Sequence, residues 1–563
     1  MTEDWKKRAE VKRDAILAAI PKEWRIENPP NEKQVDVTGK FVQQFLSERE
    51  VEITETTADD IAKHTVSGTW KAEEVTRAFC HRAALAHQLT NCLHEIFFDA
   101  AIADAKALDE YYAKNKKPMG PLHGLPVSLK DQFHVKGVET TMGYVGWIGT
   151  FEGKTGTGKE KKFESEMVKE LRNSGAVLYC KTSVPHSLMT GETVNNIIGY
   201  TWNPKNRNLA SGGSSGGEGA LIGLRGAPVG FGTDIGGSIR IPAAFNGLYG
   251  IRPSTGRMPY EGMANSMDGQ NTILSVVGPL ATSVPSLRLV MKALLAQKPW
   301  LHDPLVHEIP WRHEEERQIL EHTGAIGDAS KIGKLSFGVL RSDGIVNPLP
   351  PVCRAVDTVV KALEALGHEA IPWEPPSHKT LLDEGIKTWF FDGGTDLKSA
   401  FALSGEPMAE QISFYSSPSL KEFTASQIAA TNVRLREIKK EYMEYWNSTA
   451  EKTSTGRPVD ALIAPLAPFP AARPKMYSYY GYSTFVNVLD YTSVVVPVTM
   501  VDKWVDRRDE GYRPIDDTDK KVYESYDPEI YDGAHVSVQL VGRRLQEEKM
   551  LAIAEYVGKA LGM

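Results

Sequence analysis

The sequence of 563 residues is poor in cysteine and contains no motif typical of a metal site. Cys80, Cys92, Cys180 and Cys353 are far apart and form no C-x-x-C pair. Four cysteines leave two disulfides open, but scattered thiols in a chain of this size are more typical of a reduced, cytoplasmic protein. The 14 histidines include no H-E-x-x-H motif, the commonest helical zinc site. We therefore expect no metal and no cofactor.

Long apolar runs and an excess of basic residues are also absent. No apolar run reaches the roughly 18 residues that a membrane-spanning helix needs, so we expect no transmembrane anchor. The polar N-terminus does not have the pattern of a signal peptide. The net charge of −7 argues against nucleic acid, whose binding needs a basic face. The expected partner is a small molecule, and the composition leaves open whether the chain forms a homodimer.

Glycine and serine are concentrated between Ser211 and Pro242, where Ser214-Ser215 and Ser238 each lie among glycines. Because glycine has no Cβ, a run such as Gly236-Gly237-Ser238 can direct consecutive N–H groups toward one point, as in an oxyanion hole. Residues 218–224 between the two clusters are predicted as a short helix, and residues 227–232 as a buried strand. This turn of the chain can bring the two serine clusters together.

Lys130 lies near the end of a second motif, which runs from Gly124 to Asp131 and has the pattern of a short buried strand. Burial disfavours the charged ammonium group and lowers the pKa of a lysine toward a value useful for a base. A serine hydroxyl needs a neighbouring base to become a nucleophile. Taken alone, Lys130 fits a surface lysine better, and only the two glycine-serine loops make it a candidate base.

Three separated segments together resemble the amidase signature family: GLPVSLKD at 124–131, GGSSGGEGA at 212–220 and GTDIGGSIRIPAAFNGLYGIRP at 232–253. The resemblance implies an amide hydrolase with a Ser-cisSer-Lys triad. In such a triad, Ser238 would be the acylated nucleophile, Ser214 the bridging serine on a cis peptide bond, and Lys130 the base.

The resemblance also implies roles for the surrounding residues. The oxyanion hole would be formed by the backbone N–H groups of Ile235, Gly236, Gly237 and Ser238. Leu188 and Met189 match the segment that contacts the substrate near the nucleophile, where Ser214 would also bind substrate. The residues themselves, and not the resemblance, suggest three supporting roles: Ser215 could merely cap the helix at Glu218, and Asp234 and Arg240, which flank Ser238, could pair to hold the loop.

Alternating strands and helices with short glycine junctions predict an α/β fold: a single large domain with a central mixed sheet flanked by helices on both faces. The resemblance assigns residues 57–563 to the catalytic domain and leaves residues 1–56 as a helical extension packed on the core. Segments 297–330 and 376–450 depart from the alternation. We expect them to shape access to the pocket, the second with its cluster of aromatic side chains.

Within the family, the segments around residues 76–101 and 129–137 are most similar to fungal acetamidases and general amidases, which are relatives of fatty acid amide hydrolase. This implies cleavage of small aliphatic or aryl amides to a carboxylic acid and ammonia or an amine, through an acyl-enzyme. The alternatives are a fatty acid amide or carbamate-ester hydrolase, an amidotransferase A-type subunit, and an inactive scaffold. Residues 212–216 also match G-x-S-x-G, but a loop precedes them instead of the strand that a nucleophile elbow requires.

Overall fold

Runs rich in valine and isoleucine form the strands of a large central sheet. The computed structural model describes residues 4–325 and 333–562. The strands are β1 (Leu93–Ile96), β2 (Pro126–Lys130), β3 (Val177–Thr182), β4 (Val194–Asn195), β5 (Gly199–Tyr200), β6 (Val229–Asp234), β7 (Tyr249–Arg252), β8 (Val276–Ala281), β9 (Ser336–Val339), β10 (Glu369–Pro372), β11 (Ala461–Ala464), β12 (Ser493–Met500) and β13 (His535–Val541). Strands buried along both faces, such as β2, β3 and β6, need the continuous apolar pattern from which they were predicted.

The main sheet is mixed, as predicted. Among the described residues its eleven strands follow the order β1-β3-β2-β6-β8-β7-β12-β13-β11-β9-β10. Strand β2 is parallel to β3 and β6, whereas β6 is antiparallel to β8 and β12 is antiparallel to β13. The two central strands β7 and β8 were not predicted from the sequence. The order places β2 and β6, which carry the two motifs, side by side.

Helices flank the sheet; for example, α9 and α12 both pack against β13. The helices are α1 (Asp4–Ala18), α2 (Lys40–Gln43), α3 (Glu48–Glu55), α4 (Ala58–Val66), α5 (Ala72–Thr90), α6 (Phe98–Asn115), α7 (Glu166–Asn173), α8 (Gly216–Gly223), α9 (Arg240–Phe245), α10 (Val284–Leu295), α11 (His313–His322), α12 (Pro350–Ala365), α13 (His378–Gly385), α14 (Thr395–Ala402), α15 (Ala425–Ser448), α16 (Gly481–Leu489), α17 (Asp517–Glu524), α18 (Pro528–Tyr531) and α19 (Glu547–Ala560). None of them, within the described ranges, has the length and apolar character needed to span a bilayer.

Helix α1 is attached to the rest of the chain by polar contacts. Lys12 Nζ lies 2.5 Å from Glu95 Oε1 and 2.8 Å from Glu139 Oε2, and its side chain is only 11% exposed. Burial acts to lower the pKa of Lys12, but the two carboxylates raise it above its ordinary value. Arg13 Nε also donates to the Ile197 carbonyl at 2.7 Å. Ion pairs and hydrogen bonds therefore contribute to holding α1 on the core.

All four cysteines are free thiols. Cys80, Cys92 and Cys180 are buried, and Cys353 is exposed. The alternative of two disulfides is therefore wrong, because no pair of these cysteines is bonded.

Candidate active site

Lys130 is the last residue of β2 and is fully buried. Its Nζ lies 2.7 Å from Ser214 Oγ and 2.7 Å from Thr233 Oγ1. Burial lowers the pKa of Lys130 to about 7, although the carboxylates of Asp234 and Glu218 act in the opposite direction. The amine can therefore be neutral near neutral pH and can accept a proton from the Ser214 hydroxyl.

A buried carboxyl group, Glu218 in the first turn of α8, lies close to this lysine. Its two oxygens accept hydrogen bonds from Ser128 Oγ at 2.5 Å and from Thr182 Oγ1 at 2.9 Å. Burial raises the pKa of Glu218 to about 7 in spite of these hydrogen bonds. The site thus favours the neutral forms of both Glu218 and Lys130.

The two glycine-serine loops meet beside Lys130. The Gly213–Ser214 peptide bond is cis, and the Ser215 N–H donates to the Ser238 carbonyl at 3.2 Å. Ser215 occupies the N-cap position of α8, but its side chain makes no capping hydrogen bond, and among the described residues its Oγ has no partner. The predicted capping role of Ser215 is therefore wrong.

Asp234 organises the loop that carries Ser238. Its carboxylate accepts the N–H of Gly237 at 2.8 Å and the N–H of Ile239 at 3.2 Å, and it forms an ion pair with Arg240, whose Nε lies 3.0 Å from Oδ2. Burial alone would raise the pKa of Asp234, but Arg240 lowers it to about 2. The expected pairing of Asp234 with Arg240 is present, and it fixes the loop from both ends.

The loop leaves three of the four predicted oxyanion donors free. The N–H groups of Ile235, Gly236 and Ser238 have no acceptor in the part of the chain that the structure describes, whereas the N–H of Gly237 is engaged by Asp234. Ser483 Oγ donates to the Gly236 carbonyl at 2.6 Å and holds that peptide in place. The Gly237 N–H is therefore not free to act as the predicted donor in this geometry, and the φ of Gly237, 128°, lies in the region that favours glycine.

Ser238 faces a cavity of about 420 Å³. Leu188 and Met189 line it, as expected from the sequence, together with Ile235 and Gly236. Segment 376–450 contributes the aromatic side chains of Trp389, Phe390, Phe414 and Tyr415. This confirms that the segment shapes the pocket, and the walls suit an apolar or aromatic acyl group.

A second cavity, of about 140 Å³, shares Met189, Ile235 and Trp389 with the first. Segment 297–330 reaches this small cavity only through Asp303 and Leu305, because its helix α11 packs against α19. Helix α11 lines neither of these two cavities, and residues 326–330 lie outside the described residues. A role of this segment in access to the pocket stays a prediction.

Comparison with known proteins agrees with this geometry: residues 74–551 match the amidase family. The chain belongs to the amidase signature family. This amidase is 48% identical over 563 residues to an acetamidase of Emericella nidulans, covering 100% of the chain and 99% of that protein. It is also 48% identical to an acetamidase of Aspergillus oryzae, with 99% of both proteins covered. A solved structure of fatty acid amide hydrolase is similar at a TM-score of 0.90 and 32% identity, covering 100% of this chain and 96% of the other.

Three polar residues of the amidase site were not identified from the sequence: Thr233, Glu218 and Ser483. Thr233 and Glu218 lie within the matched motifs, and both contact residues of β2 from neighbouring elements. Ser128 and Lys130 share one face of β2 because side chains alternate along a strand. The buried polar side chain at 128 could therefore have predicted a polar residue packed against this face. Ser483 comes from α16, 247 residues beyond the carbonyl it contacts, and no local pattern points to it.

Replacement of Gly237 by alanine should lower kcat/KM for amides by about 100-fold, comparable to losing an oxyanion donor. A Cβ at this position would lie 2.6 Å from Ser483 Cβ, and the φ of 128° is strained for any residue other than glycine. The matched control is Gly236→Ala, whose Cβ would lie no closer than 3.5 Å to Trp389. Steady-state kinetics should show a larger loss of kcat/KM for Gly237→Ala than for Gly236→Ala. Equal losses would contradict the prediction that only position 237 requires glycine.

Proposed function

We propose that this amidase cleaves carboxamides through an acyl-enzyme formed on Ser238, with Ser214 as the bridging serine and Lys130 as the base. The observation that carries the proposal is the 2.7 Å contact between Lys130 Nζ and Ser214 Oγ, in a site where burial lowers the pKa of the lysine to about 7. The contact between the two serine loops supports the placement of Ser238 as the next member.

The proposed proton path starts at Ser238 and ends at Lys130. Neutral Lys130 takes the Ser214 proton while Ser214 takes the proton of Ser238, whose Oγ attacks the amide carbonyl. The free N–H groups of Ile235, Gly236 and Ser238 stabilise the developing oxyanion. The protonated lysine then returns a proton through Ser214 to the leaving amine. Water repeats the cycle on the acyl-enzyme and releases the carboxylic acid, so the path needs no metal or cofactor.

We propose small aliphatic and aryl amides as substrates. Two full-length relatives at 48% identity are acetamidases, which supports the small amides. The aromatic walls contributed by segment 376–450 support aryl amides. The cavity volume of about 420 Å³ lies in the range that holds drug-sized ligands. It therefore favours a second candidate, a hydrolase of longer acyl amides or carbamate esters. The cytoplasmic location and the homodimer stay predictions.

Ser238 should carry the covalent intermediate. A slow carbamate or a fluorophosphonate should label this residue, because Ser238 lines the cavity and its own N–H has no acceptor among the described residues. Peptide mass spectrometry of the labelled protein identifies the adduct, with Ser238→Ala as the unlabelled control. An adduct on Ser214 or Ser215 would overturn the assignment.

The rate of amide hydrolysis should rise with pH through about 7, because only the neutral form of Lys130 accepts a proton. In Lys130→Ala this acid limb should disappear, and kcat/KM for an amide should fall by about 100-fold or more. A matched ester should lose less, because an alkoxide leaves with less protonation than an amine. Lys130→Met, which fills the buried space, separates this effect from a packing defect. Wild-type rates for both substrates in either variant would make Lys130 structural.

The values of kcat/KM for straight-chain amides from acetamide to decanamide measure how long an acyl chain the pocket accepts. Each CH₂ buried against the apolar walls is worth up to ~0.8 kcal/mol, so kcat/KM should rise until the cavity is full and then level off or fall. Benzamide should be at least as good a substrate as acetamide, given the aromatic walls. A continuous rise to decanamide would favour the long-chain amide hydrolase instead.

A further inference from the structure

A chain of side-chain hydrogen bonds leads away from Lys130 on the side opposite to Ser214. Lys130 Nζ lies 2.7 Å from Thr233 Oγ1, and Thr233 Oγ1 lies 2.8 Å from Gln132 Oε1. Gln132 Nε2 then donates to Tyr260 Oη at 3.0 Å and to Asn265 Oδ1 at 3.1 Å. Lys130, Thr233 and Gln132 are each at most 3% exposed. No step of the proposed proton path uses Thr233, Gln132 or Asn265.

The direction of every hydrogen bond in this chain follows from Asn265. Its Nδ2 donates to the Met263 carbonyl at 3.2 Å and faces Asp268 Oδ1 at 3.4 Å. A carbonyl and a carboxylate only accept, so the amide oxygen of Asn265 must point toward Gln132. Gln132 must present its NH₂ group to that oxygen, and this turns Gln132 Oε1 toward Thr233.

The orientation of Gln132 determines what Thr233 can offer to the lysine. A hydroxyl has a single proton, and in Thr233 that proton is given to Gln132 Oε1. Thr233 therefore presents only lone pairs to Lys130 and accepts one of its N–H groups. A neutral amine has one lone pair, which is left for the Ser214 hydroxyl. If Thr233 could rotate, it could donate its proton to Lys130 Nζ and compete with Ser214 for that lone pair.

We propose that Gln132 is a positioning residue for the lysine base. By fixing the direction of the Thr233 hydroxyl, Gln132 reserves the lone pair of Lys130 for Ser214. The inference rests on the proposed function, because it assumes that Lys130 acts as the base. It also accounts for the burial of a polar glutamine at this position, two residues after Lys130.

Gln132→Met, which keeps the length of the side chain and removes the amide, tests the inference. We expect kcat/KM for an amide to fall by roughly 10- to 100-fold, less than the ~100- to 10,000-fold contribution of a general base, because the base itself stays in place. KM should change little. The acid limb of the pH profile should move to lower pH, because a released Thr233 hydroxyl can donate to the neutral amine and so favours that form.

Gln132→Glu should move the acid limb in the opposite direction. A carboxylate still accepts the Thr233 proton, but its negative charge favours the protonated lysine, and the limb should shift to higher pH. Tyr260→Phe is the matched control, because Asn265 still holds the Gln132 amide, and its loss should stay below roughly 10-fold with the limb unmoved. Opposite shifts in the two Gln132 variants are a result that a purely structural role would not produce.

The outcomes separate this inference from the proposed function. If the wild type fails to hydrolyse amides, or if Lys130→Ala keeps the acid limb, the proposed function fails and the inference fails with it. If Lys130→Ala removes the limb while both Gln132 variants keep it at the wild-type pH, the positioning role alone is overturned. Should Gln132→Met not fold, Asn265→Leu decides. Asn265→Leu leaves the Gln132 side chain in place but removes the oxygen that orients its amide. The acid limb should then shift to lower pH by less than in Gln132→Met, and an unmoved limb would overturn the inference.

Discussion

The burial of Lys130 is the constraint on which the rest of the site depends. Burial of Lys130 favours the neutral amine, but each nearby carboxylate favours the ammonium ion. The structure limits that effect in two ways. Asp234 stays ionised, but its charge is balanced by Arg240 at the same loop, and Glu218 is held between two hydroxyl groups in surroundings that favour its protonated form. Both arrangements weaken the effect of these two carboxyl groups on the pKa of Lys130.

The strand that carries the lysine is anchored from its other side. Asp131, the residue after Lys130, forms a fully buried ion pair with Lys181 of β3, with Nζ 2.6 Å from Oδ1. Its other oxygen accepts the N–H groups of Thr141 and Met142. A buried ion pair adds little net stability, but separating its partners would leave an uncompensated buried charge. The end of β2 is therefore held by contacts on the face opposite to the Lys130 side chain.

The sequence predicted those parts of the site that depend on local pattern. Glycine next to serine indicated the two loops, and the apolar run before Lys130 indicated a buried strand, because these properties belong to neighbouring residues. The partners from distant segments could not be predicted in this way: Ser483 contacts Gly236 across 247 residues. The strand order could not be predicted either, because β7 and β8 lie between β6 and the C-terminal strands. The short sequences of β7 and β8 show no distinctive hydrophobic periodicity. The N–H groups that remain free could not be predicted either. Asp234 accepts the N–H of Gly237, and a sequence motif does not show this contact.

The contacts of α1 also bear on the order in which the protein is assembled during synthesis. The helix leaves the ribosome before its partners, because Glu95, Glu139 and the Ile197 carbonyl emerge much later, the last of them 184 residues after Arg13. At typical translation rates of about 5–20 residues per second, this is a delay of roughly 10 to 40 s. An amphipathic helix with a broad apolar face would expose that face for the whole interval. Helix α1 buries only Ala9 and Ile16 and is otherwise rich in charged side chains. It can therefore stay exposed to solvent until its partners are synthesised, at little risk of aggregation.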